Sequence, residues 1–231
     1  MKILVVEDDH SISEVVRKGL QAESHVVDTV DNGTDGSFMA RTYEYDTIVL
    51  DHALPGKNGI TICKDVRGCG KNTPILFLSV TGDSETKVQA LDSGADDYMT
   101  KPFSLSELYS RIKAINRRHS PVMHTELVVH DLTLDPKTHQ VFRNGRRVSL
   151  TGKEFSLLEY MMRNKSVVLS RTMIMEHVWT VDSDPFSNTV EAHIRNLRKK
   201  INISRKPDLI ANIAGHGYII DEPSRLAQYR R

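Results

Sequence analysis

Five times in the first half of the chain, a short run of β-branched and aliphatic residues gives way to a stretch with helical spacing. Residues 2–6, 26–30, 47–50, 75–78 and 98–100 read as strands. Several are too apolar to leave one face in water, so both faces of the sheet they form must be covered. Ile12, Val15, Val16, Gly19 and Leu20 fall at helical spacing between the first two strands, as do Leu105, Leu108, Ile112 and Ile115 after the last. Such alternation predicts an α/β domain over residues 1–118, a doubly wound parallel sheet wrapped by helices on both sides.

A linker is expected around residues 117–126, where Pro121 interrupts a stretch of little periodicity, with residues 119–126 as its centre. Beyond it the pattern changes. Leu127, Val129, Leu132 and Leu134 alternate as short strands, and Asn144-Gly145 is a hairpin signal between 140–143 and 146–150. Thr151 with Glu154 three residues on predicts a capping box, opening a helix with Phe155, Leu158 and Met162 on its buried stripe. A second helix fits 171–179. A third, from Ser187 or Asn188 to Ile203, carries Val190, Ile194, Leu197 and Ile201 on one face. Residues 210–213 and 218–221 flank Gly215-His216-Gly217 as a closing hairpin. The grammar is that of an α+β winged helix-turn-helix domain over residues 127–223, with 224–231 left as a C-terminal tail.

Charge divides along the same line. Residues 1–118 hold 14 Lys+Arg against 18 Asp+Glu, a balance of −4, whereas residues 119–231 hold 17 against 12, a balance of +5. An acidic half joined to a basic half suggests that one part handles a cation and the other a polyanion. No apolar run approaches the roughly 18 residues of a spanning helix, and acid at Glu7-Asp8-Asp9 follows the first strand before a signal-peptide core could form, so a cytoplasmic location and no membrane partner are expected. Cys63 and Cys69 lack a CxxC spacing and read as two buried, reduced thiols.

In an open α/β sheet, ligands sit beyond the carboxyl ends of the strands. Those ends carry Glu7-Asp8-Asp9, Asp51, Ser79 and Lys101-Pro102. Clustered carboxylates repel one another, and a hard divalent cation such as Mg²⁺ relieves them while leaving positions open to a phosphoryl group. Asp51, fixed at the end of a central apolar strand, suits a nucleophile that carries an aspartyl-phosphate. Asp8 and Asp9, with Asp51, are then the expected metal ligands; Lys101 neutralises phosphate oxygens and Ser79 donates a hydrogen bond to one of them. A cis Lys101-Pro102 bond would aim the lysine inward.

The segments EDD at 7–9, IVLDHALPGKNG around Asp51 and GADDYMTKPF at 94–103 resemble the receiver domain of bacterial two-component response regulators. The resemblance implies a flavodoxin-like strand order 2-1-3-4-5, phosphorylation of Asp51 by a sensor histidine kinase, bound Mg²⁺, and Tyr98 as the aromatic residue that moves with the switch. His52, Ala53 and Val80 depart from the family's usual pattern and bear on turnover of the phosphate. It further implies a homodimer on phosphorylation, in which Lys87 faces Glu107, Asp97 faces Arg111 and Asp96 faces Arg118 of a second copy.

The helix over 187–203 presents Ala192, Arg195, Asn196 and Lys199 opposite its apolar face, with His193 and Arg198 nearby and Asn188 and Thr189 at its start. Cations suit DNA phosphates, asparagine can bond an adenine edge at two points, and alanine can touch a thymine methyl. LTGKEFSLLEYMM, VLSR, VW, NTVEAHIRNLRKKI and GHGY together resemble the effector domain of OmpR/PhoB-type regulators. What this implies is a winged helix on double-stranded DNA with direct repeats, and RNA polymerase as a further partner. Ala214 stands where that family often has an arginine in the wing, leaving His216 to take its place. A Mg²⁺-dependent phosphohydrolase is the competing reading. It wants a second aspartate two residues after the nucleophile, where this chain has Ala53. A phosphate-independent regulator is the other alternative, and the complete set of Asp8, Asp9, Asp51 and Lys101 argues against it.

Overall fold

The computed structural model describes residues 1–80, 84–119, 126–181, 183, 189–202 and 207–229. The chain forms two compact units, Met1–Pro121 and Val122–Arg231.

In the first unit the strands are β1 (Lys2–Val6), β2 (Val26–Val30), β3 (Thr47–Asp51), β4 (Ile75–Ser79) and β5 (Asp97–Thr100). All neighbours are parallel, in the order β2-β1-β3-β4-β5. Side chains on a strand alternate between faces, so each strand feeds two cores. Leu4, Val6, Ile48, Leu50, Ile75 and Phe77 form one layer with Ala40 of α2 (Gly33–Thr42), Ile62 and Val66 of α3 (Gly59–Gly68) and Ala90 of α4 (Ser84–Asp92). Ile3, Val5, Val49, Leu76 and Leu78 form the other, with Val16 and Leu20 of α1 (His10–Ala22) and Leu108, Ile112 and Ile115 of α5 (Leu105–His119). The anticipated linker therefore begins later, because Arg117, Arg118 and His119 continue α5.

The second unit opens with the antiparallel sheet β6 (Leu127–Val129), β7 (Leu132–Asp135), β8 (Gln140–Arg143) and β9 (Arg146–Arg147). Asn144 and Gly145 both take positive φ, 50° and 73°, as a tight two-residue hairpin requires. Three helices follow: α6 (Gly152–Arg163), α7 (Arg171–Val178) and α8 (Thr189–Ile201). Phe155, Leu158 and Met162 of α6 pack with Ile174 and Val178 of α7 and Val190, Ile194, Leu197 and Ile201 of α8 in one core. The Thr151 capping box is present, with Glu154 Oε2 accepting from Thr151 N at 2.8 Å. That same oxygen lies 2.6 Å from Lys200 Nζ, so the start of α6 is tied to the end of α8. Burial pushes the Glu154 carboxyl up, but Lys200 and the Thr151 hydrogen bonds outweigh it and hold it below its ordinary value.

The hairpin β10 (Ile210–Ile213) and β11 (Gly217–Ile220) closes the domain. Gly217 sits at φ 135°, and a Cβ there would lie 2.0 Å from the carbonyl oxygen of Leu169, where Tyr218 and Leu169 bridge the hairpin to the body. The expected tail is partly structured. Pro223–Leu226 form α9 and Ala227–Tyr229 a 3₁₀ turn, with Leu226 fully buried. Among the described residues no helix is long and apolar enough to cross a membrane.

Candidate functional sites

The parallel register aligns the carboxyl ends of four strands, since Val6 pairs with Leu50, Asp51 with Leu78 and Ser79 with Thr100. Chemistry gathers on that rim. Lys101 Nζ stands 2.7 Å from the Glu7 carboxylate and 2.9 Å from Asp51 Oδ1, and its own backbone N–H donates to Ser79 O at 2.8 Å. Asp51 is 3% exposed, Ser79 1% and Glu7 1%. The Lys101-Pro102 peptide bond is cis.

Ligand oxygens of Glu7, Asp8 and Asp51 all lie within 4.8 Å of one another. Asp9, expected among the metal ligands, is not in this group. Its side chain accepts from Ser11 N at 2.8 Å and Ile12 N at 3.1 Å, capping α1. Glu7, the first residue after β1, stands with Asp8 and Asp51 instead.

The donor set fits a hard divalent cation. Three carboxylates against one ammonium leave a formal −2 on the rim, and oxygen is the ligand type that Mg²⁺ takes. Glu7 Oε2 and Asp51 Oδ1 are buried and, Lys101 aside, have no donor among the described residues. Burial raises the Glu7 carboxyl above its ordinary value and the Asp51 charge adds to this, with Lys101 pulling the other way. A cation on the rim would favour its ionised form.

Around this centre the aromatic residues are in contact. Tyr98, 6% exposed, lies inward and stacks on Phe77 at a centroid distance of 6.1 Å, and the His52 ring meets Phe77 edge-on at 5.7 Å. Val80, next to Ser79, is 72% exposed beside the rim.

On the second unit, α8 buries one stripe and leaves Arg195, Asn196 and Lys199 in solvent, with Ala192 half-buried beside them. Two candidates are engaged with the protein itself. Arg198 donates to Ile210 O at 3.0 Å, joining α8 to β10, and the His193 ring packs against Trp179 at 5.3 Å. Thr189 is half-buried at the start of α8, and Asn188 lies outside the described residues. His216 is exposed at the hairpin tip, its Nδ1 2.8 Å from Ala214 O.

Family models match both units: the response regulator receiver domain over residues 3–113, and the C-terminal domain of transcriptional regulatory proteins over residues 145–220. The transcriptional regulatory protein CusR of Escherichia coli K12 is 40% identical over 224 residues, covering 96% of this chain and 99% of that protein. The response regulator MprA of Mycobacterium avium is 39% identical over 225 residues, covering 96% and 99%. A crystal structure of a two-component response regulator from Clostridium difficile superposes with a TM-score of 0.50 at 30% identity, over 52% of this chain and 98% of that one. The chain is an OmpR/PhoB-type response regulator. It is a DNA-binding transcription regulator rather than an enzyme, as its relatives are.

The surface of this response regulator formed by α4, β5 and α5 holds the remaining candidates. Lys87 and Arg118 are exposed. Arg111 binds Asp97 at 2.9 Å and Glu107 at 2.8 Å within the same chain, and both carboxylates raise its pKa. Asp96 accepts from Arg67 at 2.9 Å and from Ile75 N at 2.7 Å, which fixes the start of β5 against α3 and β4. Glu107 and Arg111 stand four apart on α5, a spacing the sequence shows, whereas Arg111–Asp97 and Arg67–Asp96 join elements brought together only by folding. Cys63 is buried, its thiol pushed up to about 12 by desolvation. Cys69 corrects the expectation of a second buried thiol: it ends α3 in solvent.

Proposed function

We propose that Asp51 is the phosphoacceptor of this regulator and that a sensor histidine kinase in the cytoplasm supplies the phosphoryl group. The observation that carries this reading is the buried Asp51–Lys101 pair, set at 2.9 Å beside Glu7 and Asp8 on one rim. An Asp51 oxygen attacks phosphorus, the P–N bond of the phosphohistidine breaks, and the imidazole leaves with the bonding pair. Glu7, Asp8 and Asp51 hold Mg²⁺, which when bound offsets the charge that gathers on the phosphoryl oxygens. Lys101 holds its positive charge where those oxygens arrive, and the Ser79 hydroxyl, at the end of the neighbouring strand, donates to one of them.

In this reading phosphorylation draws Ser79 toward the phosphate and favours the state with Tyr98 packed inward, which is a shift between two populations driven by their differential stability. The α4-β5-α5 surface then pairs two copies through Lys87, Asp96, Asp97, Glu107, Arg111 and Arg118. Arg111 must exchange partners within its own chain for partners across the interface, so these contacts select register more than they supply affinity. The dimer places two α8 helices on the direct repeats of a double-stranded operator, where Ala192, Arg195, Asn196 and Lys199 face the major groove and RNA polymerase is met nearby.

Incubation of the full-length protein with acetyl phosphate and Mg²⁺, followed by mass spectrometry, tests the central step. The expected result is one added phosphoryl group, absent from Asp51→Asn, whose amide is isosteric but a poor nucleophile. Labelling that persists in the variant would overturn the assignment.

A further inference from the structure

One buried ring touches both ends of the proposed switch. Phe77 lies on β4 with no exposed surface, and the register sets it beside Leu50 of β3 and Tyr98 of β5. Alternate residues of a strand share a face, and His52, two beyond Leu50, brings its ring to the layer that holds Leu50, Phe77 and Tyr98. The two rings meet Phe77 differently. Tyr98 lies nearly parallel to it, with 14° between the planes, whereas His52 presents an edge at 63°.

The backbone just after the phosphoacceptor is packed on the same ring. The His52 N–H donates to Leu78 O at 2.9 Å, and its carbonyl accepts from Gly59 N at 3.0 Å. A Cβ at Gly59 would lie 2.9 Å from Phe77 Cε2 and would also strike the Asp51 carbonyl oxygen, so only glycine lets the two approach this closely. His52 Nδ1 is buried and has no hydrogen-bond partner among the described residues. An apolar side chain would be spared the cost of burying that nitrogen. What the imidazole adds is a flat edge against an aromatic ring, worth a factor of about two to ten beyond the area it buries.

We propose that His52 is a positioning residue for the switch: through Phe77 it favours the inward state of Tyr98, giving the phosphoacceptor strand a path to the α4-β5-α5 surface that does not include Ser79. This rests on the reading of Tyr98 as the residue that moves, and deepens it. Phe77 rests against both rings at once only while Tyr98 is inward. Each contact therefore raises the population of the state that has both.

The test uses the full-length protein with fluorotyrosine in place of tyrosine, loaded with Mg²⁺ and beryllofluoride, a noncovalent stand-in for the phosphoryl group. Fluorine NMR reports the bound beryllofluoride and Tyr98, assigned by Tyr98→Phe, in one spectrum. In the wild type, loading is expected to move the Tyr98 signal toward the inward state. His52→Leu keeps the bulk and removes the ring, and is expected to lower the inward-to-outward ratio about two- to tenfold with beryllofluoride still bound. His52→Phe is expected to restore it. In a Phe77→Leu background, or Phe77→Ile should that variant not fold, the His52→Leu effect is expected to vanish. An unchanged ratio in His52→Leu, no rescue by His52→Phe, or an effect that persists without the Phe77 ring would each overturn the proposal while the Tyr98 switch stood. A wild-type Tyr98 signal that ignores bound beryllofluoride would refute the switch and this proposal together, and a wild type that binds none would refute the phosphoacceptor reading on which both depend.

Discussion

The two working surfaces of this regulator handle charge in opposite ways. On the receiver rim, Lys101 lies 2.7 Å from the Glu7 carboxylate and 2.9 Å from that of Asp51, and both carboxylates are buried, so each charge is fixed and strongly felt by its neighbours. On α8, Arg195, Asn196 and Lys199 stand in water. Covalent chemistry at a single atom needs the first arrangement, where position decides whether an oxygen reaches phosphorus. Recognition of a long polyanion needs the second, where many screened contacts add and no one of them is indispensable. Losses on the rim are therefore expected to be steep, and losses on α8 graded.

Asp8→Ala is the sharpest probe of the steep side. Removing one of three carboxylates leaves the cation underbound, and Mg²⁺ affinity is expected to fall tenfold or more, with phosphorylation by acetyl phosphate slowed in step. Titration of Mg²⁺ against intrinsic fluorescence or by calorimetry measures this. An affinity equal to that of the wild type would remove Asp8 from the site.

Asn196→Ala belongs to the graded side. A cost of about 1 to 3 kcal/mol at the preferred operator is expected, with base preference flattened at one position. Lys199→Ala is expected to weaken all sequences about equally. Binding to an operator series with single substitutions separates the two, and the comparison breaks if the lysine variant alters base preference while the asparagine variant does not.

Asp9→Ala tests the boundary between them, because Asp9 follows the proposed metal ligands in the chain and caps α1. Loss of its two bonds to α1 is expected to cost about 0.5 to 2 kcal/mol of stability by urea denaturation, with Mg²⁺ affinity unchanged. A large loss of Mg²⁺ affinity would return Asp9 to the ligand set. The smallest effect is expected from Arg111→Glu. It trades two exposed ion pairs for repulsion against Asp97 and lowers the dimer fraction of the phosphorylated protein in sedimentation. Sedimentation identical to that of the phosphorylated wild type would rule out the α4-β5-α5 surface.

What the sequence made legible was whatever depends on local spacing. The Thr151-Glu154 box, the Asn144-Gly145 turn and the buried stripe of α8 each involve residues a few positions apart, so their geometry is fixed before any tertiary contact forms. Asp51 and Lys101 were legible for a related reason: the ends of parallel strands must share a rim. Glu7 and Asp9 show where this stops. Both are acids in one short run, and only the path of the chain out of β1 decides which turns to the rim and which to the first turn of α1. The signal that could have separated them is the N-cap preference for aspartate just before a helix. Arg198 was chosen for its charge, but its bond to Ile210 requires the hairpin to fold back on α8. Leu226 was assigned to a tail because one leucine has no periodicity to read.

The closure of the hairpin at Gly217 carries a lesson for genetics. Any side chain there would strike the Leu169 carbonyl, so substitution displaces the whole wing without altering a residue that meets a ligand. A screen for lost promoter control would collect such alleles beside those of Asn196, and phenotype alone would place a packing glycine and a proposed reading residue in one class. Only the shape of the protein tells the two apart.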